Sequence, residues 1–526
     1  MRKTCQFLFL LSVTWFYGGK TAAQHQHPAP ERLGSVKFTT SCHSAVQPRF
    51  NRAVALLHSF AYDEAAKEFQ NVASEDQTCA MAYWGAAMSY YHQLWEPTFL
   101  PGGEEKGRAE ITKALTMKKV SPRESGFISA VAALYSNSPS VPLRDRMLKY
   151  EDGMGRVASQ NPDDPESQVF YALALLSVAP LTDKTHANQK KALAILEPLY
   201  AKYPQHPGIA HYLIHACDNA EMAGHGLQAA RDYSLIAPSA PHALHMPSHI
   251  FTRLGMWNDS VQSNLAARKA AHEHGDLGEE LHAMDYLMYA YLQLGRDPEA
   301  TGLLADLKNL LADLKKKMTD PPAQEFKVSY AATAMPVRFA LERGRWSEAA
   351  ELQPLAAASP QVSAVSVWAS ALGCAHQHNV ACAKSGMFKL AQIERGLRAA
   401  GNHHWADQVA IQVSEVSAWI ALSSGDPRGP RVFMSRAADM EDGLEKLPLT
   451  PGPILPAREQ LGEILVGLKQ PAPALKEFET SLKQAPGRRN SLAGALQAAQ
   501  QSDQRDKVKT YQSALSNLSQ PSTSTH

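Results

Sequence analysis

The sequence predicts an all-α fold, a solenoid of stacked helix-turn-helix units, on three observations. Apolar residues recur at helical spacing, without the alternation of strands. One helical phrase returns about every 35 residues. The chain has 526 residues, 44% of them hydrophobic, and so exceeds the roughly 250–300 residues at which a single core stops growing.

The first element is not part of that stack. Met1-Arg2-Lys3, an apolar run from Cys5 to Tyr17, and Thr21-Ala22-Ala23 have the layout of a signal peptide over 1–23, with cleavage expected after Ala23. The mature chain is then expected in the periplasm or secreted. No later segment offers the roughly 20 apolar residues of a spanning helix. A lead-in segment, 24–47, precedes the repeats expected between Pro48 and about Leu518, and the polar stretch Ser519 to His526 reads as a disordered tail.

Within the repeats, Leu254-Gly255-Met256-Trp257, Leu294-Gly295-Arg296-Asp297 and Arg343-Gly344-Arg345-Trp346 are copies of one corner. A glycine closes a first helix because it accepts positive φ without a Cβ penalty, and a small residue then opens the packed face of a second. Phe60-Ala61-Tyr62-Asp63-Glu64-Ala65 and Lys469-Gln470-Pro471-Ala472-Pro473-Ala474-Leu475 are looser copies that keep the aromatic or proline and the small residue. Second helices end before a proline at Tyr203-Pro204, Ala237-Pro238 and Ala485-Pro486, because the residue before proline avoids the α region. A Pro/Gly-rich insertion is expected at Leu94 to Lys106, around Pro97, Pro101, Gly102 and Gly103.

Helix pairs of this length, closed this way, resemble the tetratricopeptide (TPR) repeat. Cys79-Ala80-Met81-Ala82-Tyr83-Trp84-Gly85 and His242-Ala243-Leu244-His245-Met246-Pro247-Ser248-His249 resemble segments of bacterial exported repeat proteins. The resemblance implies a right-handed superhelix of about ten to twelve units whose concave face takes a protein or peptide ligand. Arg253, Tyr289, Arg338, Glu459 and Glu463 fall on or near that groove side.

Without Arg2, Lys3 and Lys20, 49 basic residues face 51 acidic ones. No global field therefore steers the chain to nucleic acid or anionic lipid. Of the five remaining cysteines, Cys42 with Cys79 and Cys374 with Cys382 are plausible bridges, leaving Cys217 unpaired. None forms a CxxC pair.

The histidines are distributed unevenly: ten of 21 lie between His206 and His282. With each glycine as a ruler, His211, His242 and His282 stand thirteen residues before Gly224, Gly255 and Gly295. Ile214, His245 and Asp285 stand ten before, and Asp218, His249 and Tyr289 six before. Offsets of zero, three and seven share one helix face. His211 with His215 and His245 with His249 are also i,i+4 pairs, a spacing that presents two imidazoles to one ion.

Two readings follow. Either these histidines line a groove or pack as satisfied, partly buried residues, or they hold zinc, copper or iron, with His245 and His249 central and His211, His215, Asp218, His242, His282 and Asp285 completing the set. Pro247 lies between His245 and His249, so the helix either begins there or is kinked. Met335-Pro336-Val337-Arg338 repeats the phrase with Arg338 in place of His249, which makes the proline a scaffold feature too. His58, Trp84, Tyr90, Tyr91 and His92 are expected to pack between helices, and His25, His272, His376, His403 and His404 to lie on the surface. No HExxH, GxSxG, phosphate-loop or dinucleotide motif is present. The first expectation is an exported scaffold that binds a protein or peptide, and the second a metal-binding protein or metalloenzyme.

Overall fold

The proline and glycine punctuation sets the helix boundaries. Proline occupies the first turn of Pro122–Leu134, Pro165–Ser177, Pro207–Cys217 and Pro360–His376, where its missing N–H costs nothing. Gly255, Gly295 and Gly344 adopt φ of 70°, 72° and 59°. At each corner the following residue donates its N–H five residues back, as from Met256 to Phe251 and from Arg296 to Tyr291. Gly255 is also held by space, since a Cβ there would meet the Pro486 carbonyl at 2.3 Å. Gly224 has no left-handed φ and lies in an irregular turn after Cys217, so it is not a corner of this kind.

The computed structural model describes residues 31–95, 98–136, 141–317 and 326–518. The expected signal peptide, His25 and the polar tail lie outside the described residues. Among the described residues there is no strand. The twenty-five α-helices of the described residues fall into twelve helix-turn-helix pairs once Pro241–His245 and Pro247–Arg253 are taken as one broken helix. Each helix packs on the next, and most first helices also touch the first helix of a neighbouring unit. This is the architecture of a TPR-like solenoid. No described helix is long and apolar enough to cross a membrane.

Two long-range contacts close the stack on itself. Helix Gln47–His58 of the first unit meets Pro207–Cys217 of the fifth, and Leu277–Leu294 of the seventh meets Arg489–Gln501 of the twelfth. The end of the lead-in straps the first closure. Ser35 N–H donates to the Gln205 carbonyl, Arg32 bonds Ser239, and the buried Phe38 ring lies among Phe50, Trp84, Phe127 and Phe170. Cys42 is bridged to Cys79 and Cys374 to Cys382, while Cys217 is free and buried.

The chain stays helical through Pro247. Met246 has φ −54° and ψ −35°, and the His249 N–H donates to the Met246 carbonyl where the proline interrupts the regular ladder. The helical relation of His245 to His249 therefore survives the kink.

Candidate metal centre

Three consecutive first helices converge their histidines at the first closure. Pro207–Cys217 carries His211 and His215, the broken helix Pro241–Arg253 carries His242, His245 and His249, and Leu277–Leu294 carries His282. Ligand atoms of His211, His215 and His242 lie within 4.8 Å of one another, and so do those of His245, His249 and His282. The expected single site is thus two triads, each spanning two helices.

The outer ring nitrogens are tied down. His211 Nδ1 lies 2.6 Å from the His58 carbonyl, His242 Nδ1 3.2 Å from Glu279, His245 Nδ1 2.6 Å from Asn264 Oδ1 and His249 Nδ1 2.9 Å from Asp218. Asn264 donates its amide to Ser260 O, so its Oδ1 is the accepting end. Every one of these partners is an acceptor, so each Nδ1 carries the proton and each Nε2 presents a lone pair. Two such Nε2 atoms, of His245 and His249, stand 3.0 Å apart. His215 Nε2 stands 3.1 Å from His211 Nε2. Nε2 of His242 and of His282, one in each triad, is buried with no hydrogen-bond partner.

Burial sets the protonation state. Desolvation holds His211, His215, His245 and His282 well below the ordinary imidazole value, neighbouring histidines adding to the effect. Burial pushes His249 down to about 4 even against the pull of Asp218. These five rings are neutral near pH 7, as metal coordination requires. Burial would raise the carboxyls of Asp218 and Glu279, but Lys446 and Arg253 hold the first, and Lys327 and His242 the second, well below the usual range.

One aromatic ring caps each triad. Phe60 lies 4.4, 5.8 and 5.4 Å from the rings of His211, His215 and His242. Tyr286 lies 4.7, 5.0 and 5.4 Å from those of His245, His249 and His282. Phe60 has φ 55°, at the corner position that glycine fills in other units, with the same bond from the next N–H to a carbonyl five residues back. His378, Lys469 and Asp503 take the same conformation at the same kind of corner, so the turn belongs to the repeat. Trp95, from the expected insertion, turns inward to within 5.5 Å of His242 and 5.7 Å of His282.

The segment between helices Gly429–Asp442 and Ala457–Gly467 enters the concave side. Lys446 bonds Asp218, the Tyr286 hydroxyl donates toward the Pro448 and Thr450 carbonyls, and Arg338 reaches the Pro453 carbonyl. A cleft of about 670 Å3 beside this segment reaches His215 and Asp218, and His215 is the one triad member with solvent access.

Several expected residues stand elsewhere. Asp285 is absent from both triads and faces Arg338, Oδ1 to Nε 3.6 Å. Asp218 stands behind His249, where it orients the ring. Tyr289, Arg338 and Glu459 are buried, at 2%, 0% and 0% exposed, and Tyr289 with Arg253 lines a cavity beside the 443–456 segment. Arg338 lies over the Tyr289 ring, and Glu459 binds the buried Arg488. The closure of the stack buries the face that an open superhelix would expose. Arg253 binds Asp218, and Glu463 keeps solvent access. His376 is half-buried between Trp346 and Trp419 rather than on the surface, and His404 is half-buried, while His272 and His403 are exposed. His58, Trp84 and Tyr91 pack in the interior.

Phe60, Asn264, Glu279, Tyr286 and Lys446 are site residues that the histidine ruler does not reach. None left a distinguishing sequence signal, since the corner that holds Phe60 also holds His378, Lys469 and Asp503.

No protein-family model and no curated protein matches the chain. Among solved structures, it is similar to the human IFIT1 dimer with PPP-AAAA at 11% identity and a TM-score of 0.36, over 84% of this chain and 91% of that one. It is similar to the P58(IPK) TPR domain at 11% identity and 0.21, over 88% and 100%. Yeast Tom70 follows at 11% identity and 0.29, over 91% and 92%.

Proposed function

We propose that this helical repeat scaffold is a metal-binding protein that holds two transition-metal ions, one in each histidine triad. The observation that carries the reading is the pair His245 and His249. Both Nδ1 protons are committed to oxygen acceptors, so two lone pairs face each other at 3.0 Å in a buried site. Neutral imidazoles so placed repel unless a cation lies between them. The bonds behind the rings are of the kind that orient metal-bound histidine. An all-imidazole donor set suits zinc, copper or iron and disfavours magnesium or calcium. The two disulfides support export to an oxidising compartment. Docking of a peptide along the concave side has less support, since the chain's own 443–456 segment lies there.

The test is elemental mass spectrometry of untagged protein purified without chelator, beside the His245→Ala/His249→Ala variant. Two ions per chain are expected in the parent and one in the variant, with helical circular dichroism unchanged. Parent protein that is metal-free and takes up no added zinc, copper or iron overturns the reading.

A further inference from the structure

We infer that the two triads form one dinuclear copper centre that binds dioxygen between its ions. The inference rests on the two-site reading and adds to it the metal, the coupling of the sites and the ligand.

Three features place the triads side by side. His242 and His245, one from each triad, are three residues apart on the same broken helix with ring centroids 6.0 Å apart. His215 and His249, again one from each, are also 6.0 Å apart. Rings inside one triad are no closer at their widest, His249 and His282 being 6.3 Å apart. Trp95 touches a member of each triad, so a single indole borders both.

The charge of the surroundings selects the metal. Imidazole coordinates a metal as the neutral base, so six of them bring no charge of their own. The two carboxylates that touch the triads are already matched, Asp218 by Arg253 and Lys446, and Glu279 by Lys327. A pair of divalent ions would place four uncompensated positive charges among buried groups, a state with a heavy desolvation cost. Copper(I) halves that charge, and copper is among the metals that imidazole suits.

Dioxygen binding then leaves the net charge of the site unchanged. Each copper(I) gives up one electron, and dioxygen accepts both and becomes a dianion bridging two copper(II) ions. Two positive charges are present before and after, no proton moves, and return of the two electrons to copper releases dioxygen. The rings of Phe60 and Tyr286 each cover one triad. The cleft at His215 gives a diatomic molecule a route.

The experiment loads the full chain with copper(I) without oxygen, counts copper per chain, admits air, and follows X-ray absorption at the copper edge together with electron paramagnetic resonance. The expected result is two coppers per chain that become copper(II) in air while the resonance accounts for only a small fraction of them, because the two spins are coupled. His282→Gln is expected to retain one copper, which shows its full resonance once oxidised with ferricyanide. Two coppers whose resonance integrates to two spins overturn the dinuclear centre. Two coppers that stay copper(I) in air overturn dioxygen binding. Protein that takes up no copper but binds two zinc ions overturns the choice of metal and spares the two-site reading; protein that binds no metal at all overturns both.

Discussion

His245 Nδ1 lies 2.6 Å from Asn264 Oδ1, and Asn264, fully buried, is held in turn by its amide bond to Ser260 O. The asparagine thereby fixes both the tautomer and the tilt of His245. Asn264→Leu removes the acceptor and is expected to weaken metal binding about 10- to 100-fold, as loss of such support does elsewhere. Asn264→Asp retains the acceptor and is expected to stay near the parent. Competition against a chelator of known affinity reads the difference.

Arg488, at the start of the last unit, ties it to the eleventh and eighth units. It is fully buried and binds Glu459 at 2.7 and 2.9 Å and Glu342 at 2.7 Å. Arg488→Met removes the cation between two buried carboxylates and is expected to cost about 3–5 kcal/mol of stability. Arg488→Met with Glu342→Gln and Glu459→Gln should recover much of that loss. Chemical denaturation of the three proteins checks both statements.

Acid should destabilise the first closure. Burial raises the Glu166 carboxyl, but His206 and His58, at 3.0 and 2.9 Å, override it and hold the group below its ordinary 4.5. A depressed carboxyl stabilises the fold fully above the unfolded value and loses that contribution as pH falls from about 4.5 toward the folded value. Burial also holds His58 below 6.5, so protonation of the unfolded chain weakens the fold as pH drops below that value. Glu166→Gln is expected to be less stable at neutral pH and to show a flatter stability curve below pH 4.5, read by denaturation across pH.

The disulfides should differ in their effect. Cys42–Cys79 spans 37 residues and Cys374–Cys382 only 8. Chain entropy alone gives about 4 and about 2.5 kcal/mol respectively. Cys42→Ala/Cys79→Ala should therefore lower the denaturation midpoint more than Cys374→Ala/Cys382→Ala.

The repeat was legible because its signals are local. Gly255, Gly295 and Gly344 mark corners since only glycine takes positive φ cheaply, and prolines mark helix starts through their missing N–H. The histidine clustering was legible for a similar reason, as Pro247 bends its helix without breaking the relation of His245 to His249. Gly224 misled the ruler, because a glycine in the right column need not be a corner.

By itself, then, the sequence determined the helix pairs, their stacking order and the face that carries the histidines. Only the tertiary structure decided that this face is interior, that Asp285 turns to Arg338, and that six histidines sort into two triads under Phe60 and Tyr286. The physical reason is that helical spacing sets angles about one helix axis. Where a repeat stack closes depends on small rotations summed over several units, and that sum brings Phe60 and His58 of the first unit against His211 of the fifth.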